Sequence, residues 1–158
     1  MAVDDYKQQD KQQGKQHAVG DVRQAELTHW AADVLRTRGE VLDAQFALQP
    51  ASDDASFRRY FRAGGDSSVV FMDAPPELED SRPFVHVADL LRQADLKVPE
   101  VLALDLDRGF MALTDFGQTL YLDRLANGNA SEVEHLYQAA FDSLTRLHEV
   151  DRSVAAYS

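Results

Sequence analysis

Three arginines stand close together in this chain and are its densest positive charge. The run 57–62, Phe-Arg-Arg-Tyr-Phe-Arg, contains Arg58, Arg59 and Arg62. The whole chain carries a formal charge of −11, so an anionic ligand would depend on local cations of this kind. At physiological salt the Debye length is about 8 Å, which favours local charge over net charge. The run therefore favours an anion-binding strand, and a solvated strand face is the alternative.

Other residue types that commonly do catalytic chemistry are scattered or absent. The chain has no cysteine, which excludes disulfides, thiol nucleophiles and iron–sulfur ligation. Its five histidines share no metal-ligand spacing, and helix-face or surface roles are expected for them. The sequence contains no P-loop motif, no G-x-G-x-x-G and no G-x-S-x-G. Several common nucleotide and hydrolase sites are thereby excluded.

Length and composition limit the class of protein further. The 158 residues suit one domain or one lobe of a larger protein, and 44% hydrophobic residues are enough for a core. The acidic balance argues against binding nucleic acid or an anionic membrane through bulk charge. No apolar run approaches the roughly 18 residues of a membrane span, and the N-terminus lacks the apolar segment of a secretory signal. We expect a cytoplasmic protein.

The sequence predicts a polar tail, a helix and three strands in the first half of the chain. Residues 1–20 are rich in Gln and Lys and predict a flexible extension. Asp21 can cap a helix that Gly39 ends, with apolar residues at helical spacing between them. Strands are predicted at 46–49, ending at Pro50, and then at 57–62 and 67–73, with a small-residue turn at 51–56 and a hairpin turn at 63–66.

The second half alternates between helices and strands. Ser81 can cap a helix that extends to about residue 94, and Ser131 can open a capping box for a helix over 131–148. Strands at 101–106 and 110–114 are joined by a short turn. A short helix is predicted at 119–126. The sheet is therefore expected to be mostly antiparallel, with one helix inserted between its third and fourth strands.

Four sequence segments carry a specific resemblance. Residues 55–62, 72–77, 98–103 and 113–117 are similar to the aminoglycoside-phosphotransferase-like family. Within that family they resemble the branch of N-acetylmuramate/N-acetylglucosamine kinases, and the likeness covers about 23–150. The resemblance implies an α+β fold: a protein-kinase-like N-lobe, built on a five-stranded, mostly antiparallel sheet with an inserted helix, followed by the first helices of a C-lobe. It implies a polar tail at 1–20, an N-lobe at 21–116, and a hinge exit with C-lobe helices at 117–158.

The resemblance also implies an activity. An ATP-dependent, Mg²⁺-assisted phosphotransferase would act on an amino-sugar hydroxyl, the anomeric one in this branch, during cell-wall sugar recycling. The catalytic loop and the metal ligands of the family are expected downstream of Ser158, so no catalytic or metal residue is assigned in this chain. ATP and the amino sugar are the expected partners, without nucleic acid or membrane. Self-association through an exposed face of helix 131–148 is also expected.

The same resemblance assigns nucleotide-binding roles to individual residues. The turn at 51–56 would cover the phosphates, because small side chains let backbone N–H groups approach them. Met72 occupies the third-strand position where kinases place a phosphate-pairing lysine, and Arg59 is the candidate to replace that lysine. Backbone groups of Thr114 and Asp115 would contact adenine, with Phe116 as a wall. The cofactor-binding residues implied are Ser52, Asp53, Asp54, Ala55, Ser56, Arg59, Met72, Leu113, Thr114, Asp115 and Phe116.

Other interpretations stay open from the sequence. The tripeptide 115–117, Asp-Phe-Gly, binds magnesium in protein kinases, but no H-R-D catalytic loop precedes it here. We interpret it as the exit of the chain from the sheet. A second hypothesis is a non-catalytic nucleotide-binding or interaction module of kinase-like fold, which the missing lysine favours. A third is a general α+β protein that binds no nucleotide.

Overall fold

The computed structural model describes residues 22–53, 57–64 and 67–150, with the backbone alone at 52 and 53. The predicted tail at 1–20 and the ends of two predicted turns lie outside these ranges. The described strands are β1 (Leu48–Asp53), β2 (Arg59–Ala63), β3 (Val69–Asp73), β4 (Val101–Asp105) and β5 (Phe110–Thr114). The described helices are α1 (22–37), α2 (Arg82–Gln93), α3 (Tyr121–Asn127) and α4 (Ala130–Glu149).

The five strands form one antiparallel sheet in the order β1-β2-β3-β5-β4. Helix α2 lies in the chain between β3 and β4, as the sequence predicts. The α+β class and the five-stranded antiparallel sheet are therefore confirmed. None of the helices in the described part of the chain is long and apolar enough to cross a membrane.

The two faces of the sheet pack against different helices. Because side chains alternate along a strand, neighbouring residues of β3 point to opposite faces. We call one side the α1 face, because Phe71 and its neighbours there pack against α1; the other is the α2 face, where Met72 packs with Phe84 and Val85 of α2. The buried residues of the α1 face and of α1 are Leu27, Ala31, Leu35, Leu48, Phe61, Ala63, Val69, Phe71, Phe110 and Ala112. Those of the α2 face are Met72, Ala74, Met111 and Leu113.

Helix α1 ends as its sequence predicts. Leu27, Ala31 and Leu35 are completely buried at four-residue spacing, so one stripe of the helix faces the sheet. Gly39 has a φ of 85°, and the Glu40 N–H donates to the Leu35 carbonyl at 3.0 Å. This is the glycine-dependent helix end in which a left-handed residue lets the next N–H reach back to a free carbonyl.

The first strand differs from its prediction. The sequence places it at 46–49, ending at Pro50, and the structure extends it from Leu48 to Asp53 with Pro50 opposite Phe61. Proline is tolerated here because β1 is an edge strand and its register shifts between Pro50 and Ser52. The predicted turn at 51–56 is therefore strand through residue 53, and residues 54–56 lie outside the described chain.

Two helix caps also differ from prediction. Ser81 is at the N-cap of α2, but its side chain makes no capping hydrogen bond; the Asp80 carboxylate instead accepts from the Arg82 N–H at 3.0 Å. The cap of α4 is Asn129 and not Ser131, and its side-chain oxygen accepts from the Glu132 N–H at 3.0 Å. Counted from the cap at Asn129, Glu132 is the third helical residue. A capping residue followed three positions later by Glu is therefore present as the sequence predicts, but it begins two residues earlier in the chain.

Candidate functional site

The α2 face carries two of the three arginines that the sequence singles out. Tyr60 lies opposite Met72 in the β2–β3 ladder and packs with the cluster of that face. Alternation along the strand places Arg58 and Arg62 on the same side as Tyr60. Their contacts agree, because Arg58 lies over the Phe84 ring of α2 and Arg62 pairs with Asp115 beyond β5. A cation therefore stands at each end of one half-buried strand face.

At the first end, Arg62 and Asp115 form a two-point ion pair. The Arg62 Nε donates to Asp115 Oδ2 at 2.5 Å, and Nη2 donates to Oδ1 at 3.0 Å. Nη2 also donates to the Gly117 carbonyl at 3.1 Å, and the Gly117 N–H donates to Asp115 Oδ1 at 2.8 Å. The Arg62 hydrogen bond holds the pKa of the Asp115 carboxyl below its usual range and raises the pKa of Arg62. The hydrogen bonds from Arg62 thus hold segment 115–117 against β2.

At the other end of this strand face is Arg58, which follows residues 54–56 closely in the sequence. Its Nη2 donates to Glu79 Oε1 at 2.5 Å, and its guanidinium carbon lies 5.7 Å from the centroid of the Phe84 ring. Both side chains of the ion pair are about three-quarters buried. Glu79 belongs to the segment that connects β3 to α2, and sequence reasoning did not select it. The only available signal was its place between a proline-ended strand and a helix start.

Met72 lies on β3, as the sequence predicts, and its side chain is on the α2 face. It is completely buried against Ala74, Met111 and Leu113. A thioether cannot supply a positive charge, so the third strand contributes only apolar contact here. Asp89, the carboxylate that the sequence offers within α2, pairs with Arg92 of the same helix at 2.7 Å. Its partner is therefore local, whereas Glu79 and Asp115 pair with arginines of the α2 face.

Arg59 does not share this face. It pairs with Asp73 and lies 5.7 Å from the Phe61 ring, and both belong to the α1 face. Asp73 is completely buried and also accepts from Arg23 of α1, whose Nη2 lies 2.5 Å from Oδ1. The expectation that Arg59 replaces the missing lysine beside Met72 is therefore wrong, because neighbouring residues of a strand point to opposite faces.

The backbone N–H groups of Thr114 and Asp115 already have acceptors within the chain. The Thr114 N–H donates to the Glu100 carbonyl at 3.1 Å, and the Asp115 N–H donates to the Ser68 carbonyl at 2.8 Å. Neither N–H remains available to donate to adenine. The next one along the chain is that of Phe116, which has no acceptor among the described residues. The Phe116 ring is 56% exposed, so it lies open at the edge of the face. Leu113 is buried in the α2-face cluster.

The structure describes only part of the turn at 51–56, which is expected to cover the phosphates. The backbone of Ser52 pairs with Tyr60 and that of Asp53 with Arg59, so both belong to β1. Asp54, Ala55 and Ser56 lie outside the described residues, and their role stays a prediction. No group of three or more His, Asp or Glu side chains that could hold a metal occurs in the described ranges. We therefore assign no Mg²⁺ ligand there.

Comparison with known proteins identifies a family that this chain matches. Residues 47–157 match the model of a family, APH, described as a phosphotransferase enzyme family. The chain is 55% identical over 114 residues to the N-acetylmuramate/N-acetylglucosamine kinase of Pseudomonas aeruginosa, covering 72% of this chain and 32% of that protein. It is 43% identical over 137 residues to the kinase of the same name from Pseudomonas putida, covering 82% of this chain and 39% of that protein.

A third similar protein comes from outside that genus. The protein of the same name from Neisseria meningitidis is 37% identical over 134 residues, which cover 82% of this chain and 37% of that protein. The chain thus spans about a third of the length of the curated relatives it matches.

Proposed function

This chain belongs to the phosphotransferase enzyme family, and on that premise we propose that it forms the nucleotide-binding lobe of an ATP-dependent amino-sugar kinase. The observation that carries the proposal is 55% identity over 114 residues to a protein named N-acetylmuramate/N-acetylglucosamine kinase. We propose the same two sugars as acceptors. The anomeric hydroxyl, the acceptor in the branch that the sequence resembles, would receive the phosphoryl group, as in cell-wall sugar recycling in the cytoplasm.

The α2 face supports this proposal because it could hold an extended nucleotide. The base would lie at the hinge end, where the Phe116 N–H can donate and the exposed ring can cover one side. The phosphates would lie toward Arg58 and residues 54–56. Small side chains at Ala55 and Ser56 suit a close approach of backbone N–H groups to phosphate oxygens. Arg62, held by Asp115, would fix the position of the hinge relative to β2.

In the reaction itself, the γ-phosphoryl group would pass from ATP to the sugar oxygen, leaving ADP and releasing the hydroxyl proton. Mg²⁺ bound with ATP supplies charge neutralisation at the phosphates in this class of reaction. None of the described residues is assigned as the base. What this lobe contributes is position and electrostatics: it orients the nucleotide and offers cations where negative charge must be held.

The proposal is tested with a chimera. This chain replaces the matching N-terminal part of the Pseudomonas aeruginosa relative, and ³¹P NMR follows N-acetylmuramate, N-acetylglucosamine and Mg·ATP. We expect a sugar phosphate and ADP to form at a rate within about ten-fold of the native relative. Titration of the chain itself with Mg·ATP measures nucleotide binding directly. A chimera that folds and binds ATP but phosphorylates neither sugar would refute the substrate assignment.

One observation favours a second candidate. Met72 fills the third-strand position with an uncharged, completely buried side chain, so a nucleotide-binding module without catalysis is a coherent alternative. The same chimera separates the two functions. ATP binding without turnover of any sugar supports the module, and turnover supports the kinase.

A further inference from the structure

We propose that a cavity at the C-terminal end of helix α1 binds a small organic ammonium ion that carries an apolar group. The cavity has a volume of about 720 Å³ and lies between the segment 40–47, which joins α1 to β1, and the hairpin end of β2 and β3. Small-molecule sites typically have volumes of about 300–1,000 Å³. The cavity belongs to the α1 face, so the inference is separate from the nucleotide site proposed on the α2 face.

Apolar side chains form one wall of the cavity. Leu35 of α1 and Ala63 of β2 line it and are buried members of the α1-face core. Leu42 and Phe46 line it from the connecting segment and pack against the same core while partly buried. Val41, beside them, is 97% exposed. An apolar group bound here would be removed from water together with part of this wall, which favours binding.

The cavity also contains a carboxylate without a counter-ion. Glu40 is half-buried, and its carboxylate has no ion-pair or hydrogen-bond partner in the described part of the chain. Its backbone is held in place by the end of α1, because the Glu40 N–H donates to the Leu35 carbonyl. Partial burial removes water from a charge, and an unpaired charge of this kind is unfavourable. A cation bound beside Glu40 would supply the missing partner.

The other polar groups of the cavity favour a ligand of the same charge. Asp43 adds a second carboxylate, whose Oδ1 accepts from the Gln45 N–H at 2.8 Å. Ser67 also lines the cavity, and its buried Oγ has no hydrogen-bond partner. None of the described lining residues is Lys, Arg or His. An anion would therefore meet two carboxylates and no cation, whereas an ammonium group has three N–H donors for these oxygens.

The test uses three ligands that share one aromatic group and differ in the end group: phenethylamine, 2-phenylethanol and 3-phenylpropionate. Each is titrated at pH 7 into the ¹⁵N-labelled whole chain, and the amide chemical shifts give both the affinity and the place of binding. We expect phenethylamine to bind at least about ten-fold more tightly than the alcohol, as for one charged hydrogen bond. The carboxylate should bind more weakly than the alcohol. The shifts should concentrate at amides of the cavity, such as those of Leu42, Phe46 and Ser68.

Two substitutions separate the cavity from the net charge of the chain. Glu40→Gln removes the unpaired carboxylate and should reduce the preference for the amine over the alcohol to about three-fold or less. Glu26→Gln is the matched control, because it removes the same charge from an exposed residue of α1 that does not line the cavity. That control should keep the full preference. Ser67→Ala leaves both carboxylates in place and should weaken phenethylamine binding by about two- to ten-fold.

Three results would each overturn the proposal. The first is equal affinity of the unaltered chain for the three ligands. The second is an equal effect of Glu40→Gln and Glu26→Gln on phenethylamine, since binding would then follow net charge alone. The third is a set of shifts spread over the surface instead of the cavity. The proposed nucleotide-binding function is unaffected by any of these results, because it concerns the other face of the sheet.

Discussion

Arg59 and Asp73 lie directly opposite each other in the β2–β3 ladder, and their side chains meet in an ion pair whose carboxylate is completely buried. The other oxygen of Asp73 accepts from Arg23, so a single carboxylate ties α1 to two strands. Arg23 also donates to the Arg108 carbonyl at 2.7 Å, which brings the β4–β5 turn into the same network. The network stabilises the side of the sheet away from the proposed nucleotide.

Removing the charge of Asp73 should therefore destabilise the fold. For Asp73→Asn we expect the free energy of unfolding to fall by about 2–4 kcal/mol, because two arginines lose a buried partner. Urea denaturation, followed by the fluorescence of Trp30, measures this, since that indole packs against Phe71 and Phe110 nearby. Asp33→Asn is the control: its pair with Arg36 is exposed, so a loss under about 0.5 kcal/mol is expected. Equal losses in the two variants would contradict the buried network.

The Arg62–Asp115 pair should contribute stability that depends on pH. The pKa of Asp115 is lowered in the folded chain, with the Arg62 hydrogen bond as the main cause. A lowered carboxyl pKa gives stability that is present above the unfolded value of about 3.9 and is lost as the pH falls through the folded value. A double-mutant cycle with Arg62→Ala and Asp115→Asn should give a coupling of about 1–2 kcal/mol at pH 7.

The same cycle at pH 3 should give a clearly smaller coupling energy, because below about pH 3.9 the unfolded chain binds a proton at Asp115 that the folded ion pair resists. The coupling at pH 6 serves as the internal control, since the carboxylate is ionised at both pH 6 and pH 7. A coupling that stays constant from pH 7 to pH 3 would show that the interaction does not depend on the charge of Asp115.

Gly109 should tolerate no side chain. Its φ is 71°, and a Cβ placed on it would lie 1.9 Å from the Ala74 carbonyl oxygen. Gly109→Ala must therefore separate the β4–β5 turn from the end of β3, and we expect a loss of at least about 3 kcal/mol or failure to fold. Gly39→Ala is the matched control, because Gly39 also has a positive φ but nothing within 4 Å of the new Cβ. That control should lose only about 1–2 kcal/mol.

Helix α4 should make the chain self-associate. One of its faces exposes large apolar side chains, with Tyr137, Phe141, Leu144 and Leu147 each 47–61% exposed. Contiguous apolar surface of this kind favours association in water. We expect the mass measured by light scattering to rise with concentration, and the double variant Phe141→Glu, Leu144→Lys to be monomeric. A wild-type chain that stays monomeric at high concentration would contradict the prediction.

Much of the fold was predictable because its signals are local. Two-residue alternation predicted β2, apolar runs bounded by turn residues predicted β3 and β5, and helical spacing with a glycine stop predicted α1. The end of the first strand was placed too early because a proline usually ends a strand, and only the sheet order shows that β1 is an edge where proline is tolerated. The cap of α4 was misplaced because two polar residues there can each cap a helix, and the choice depends on the final backbone.

The sequence by itself determined the order of the elements, the cluster of three arginines, and the resemblance to a phosphotransferase family, because each is written in neighbouring residues. It did not determine which face of the sheet each arginine occupies. Arg58, Arg59 and Arg62 find their carboxylates 21, 14 and 53 residues away in the chain. Those partners come together only when strands pair and helices pack on the two faces of the sheet. The tertiary structure therefore decided that Arg59 pairs with Asp73 on the α1 face and that Arg58 pairs with Glu79 next to Phe84.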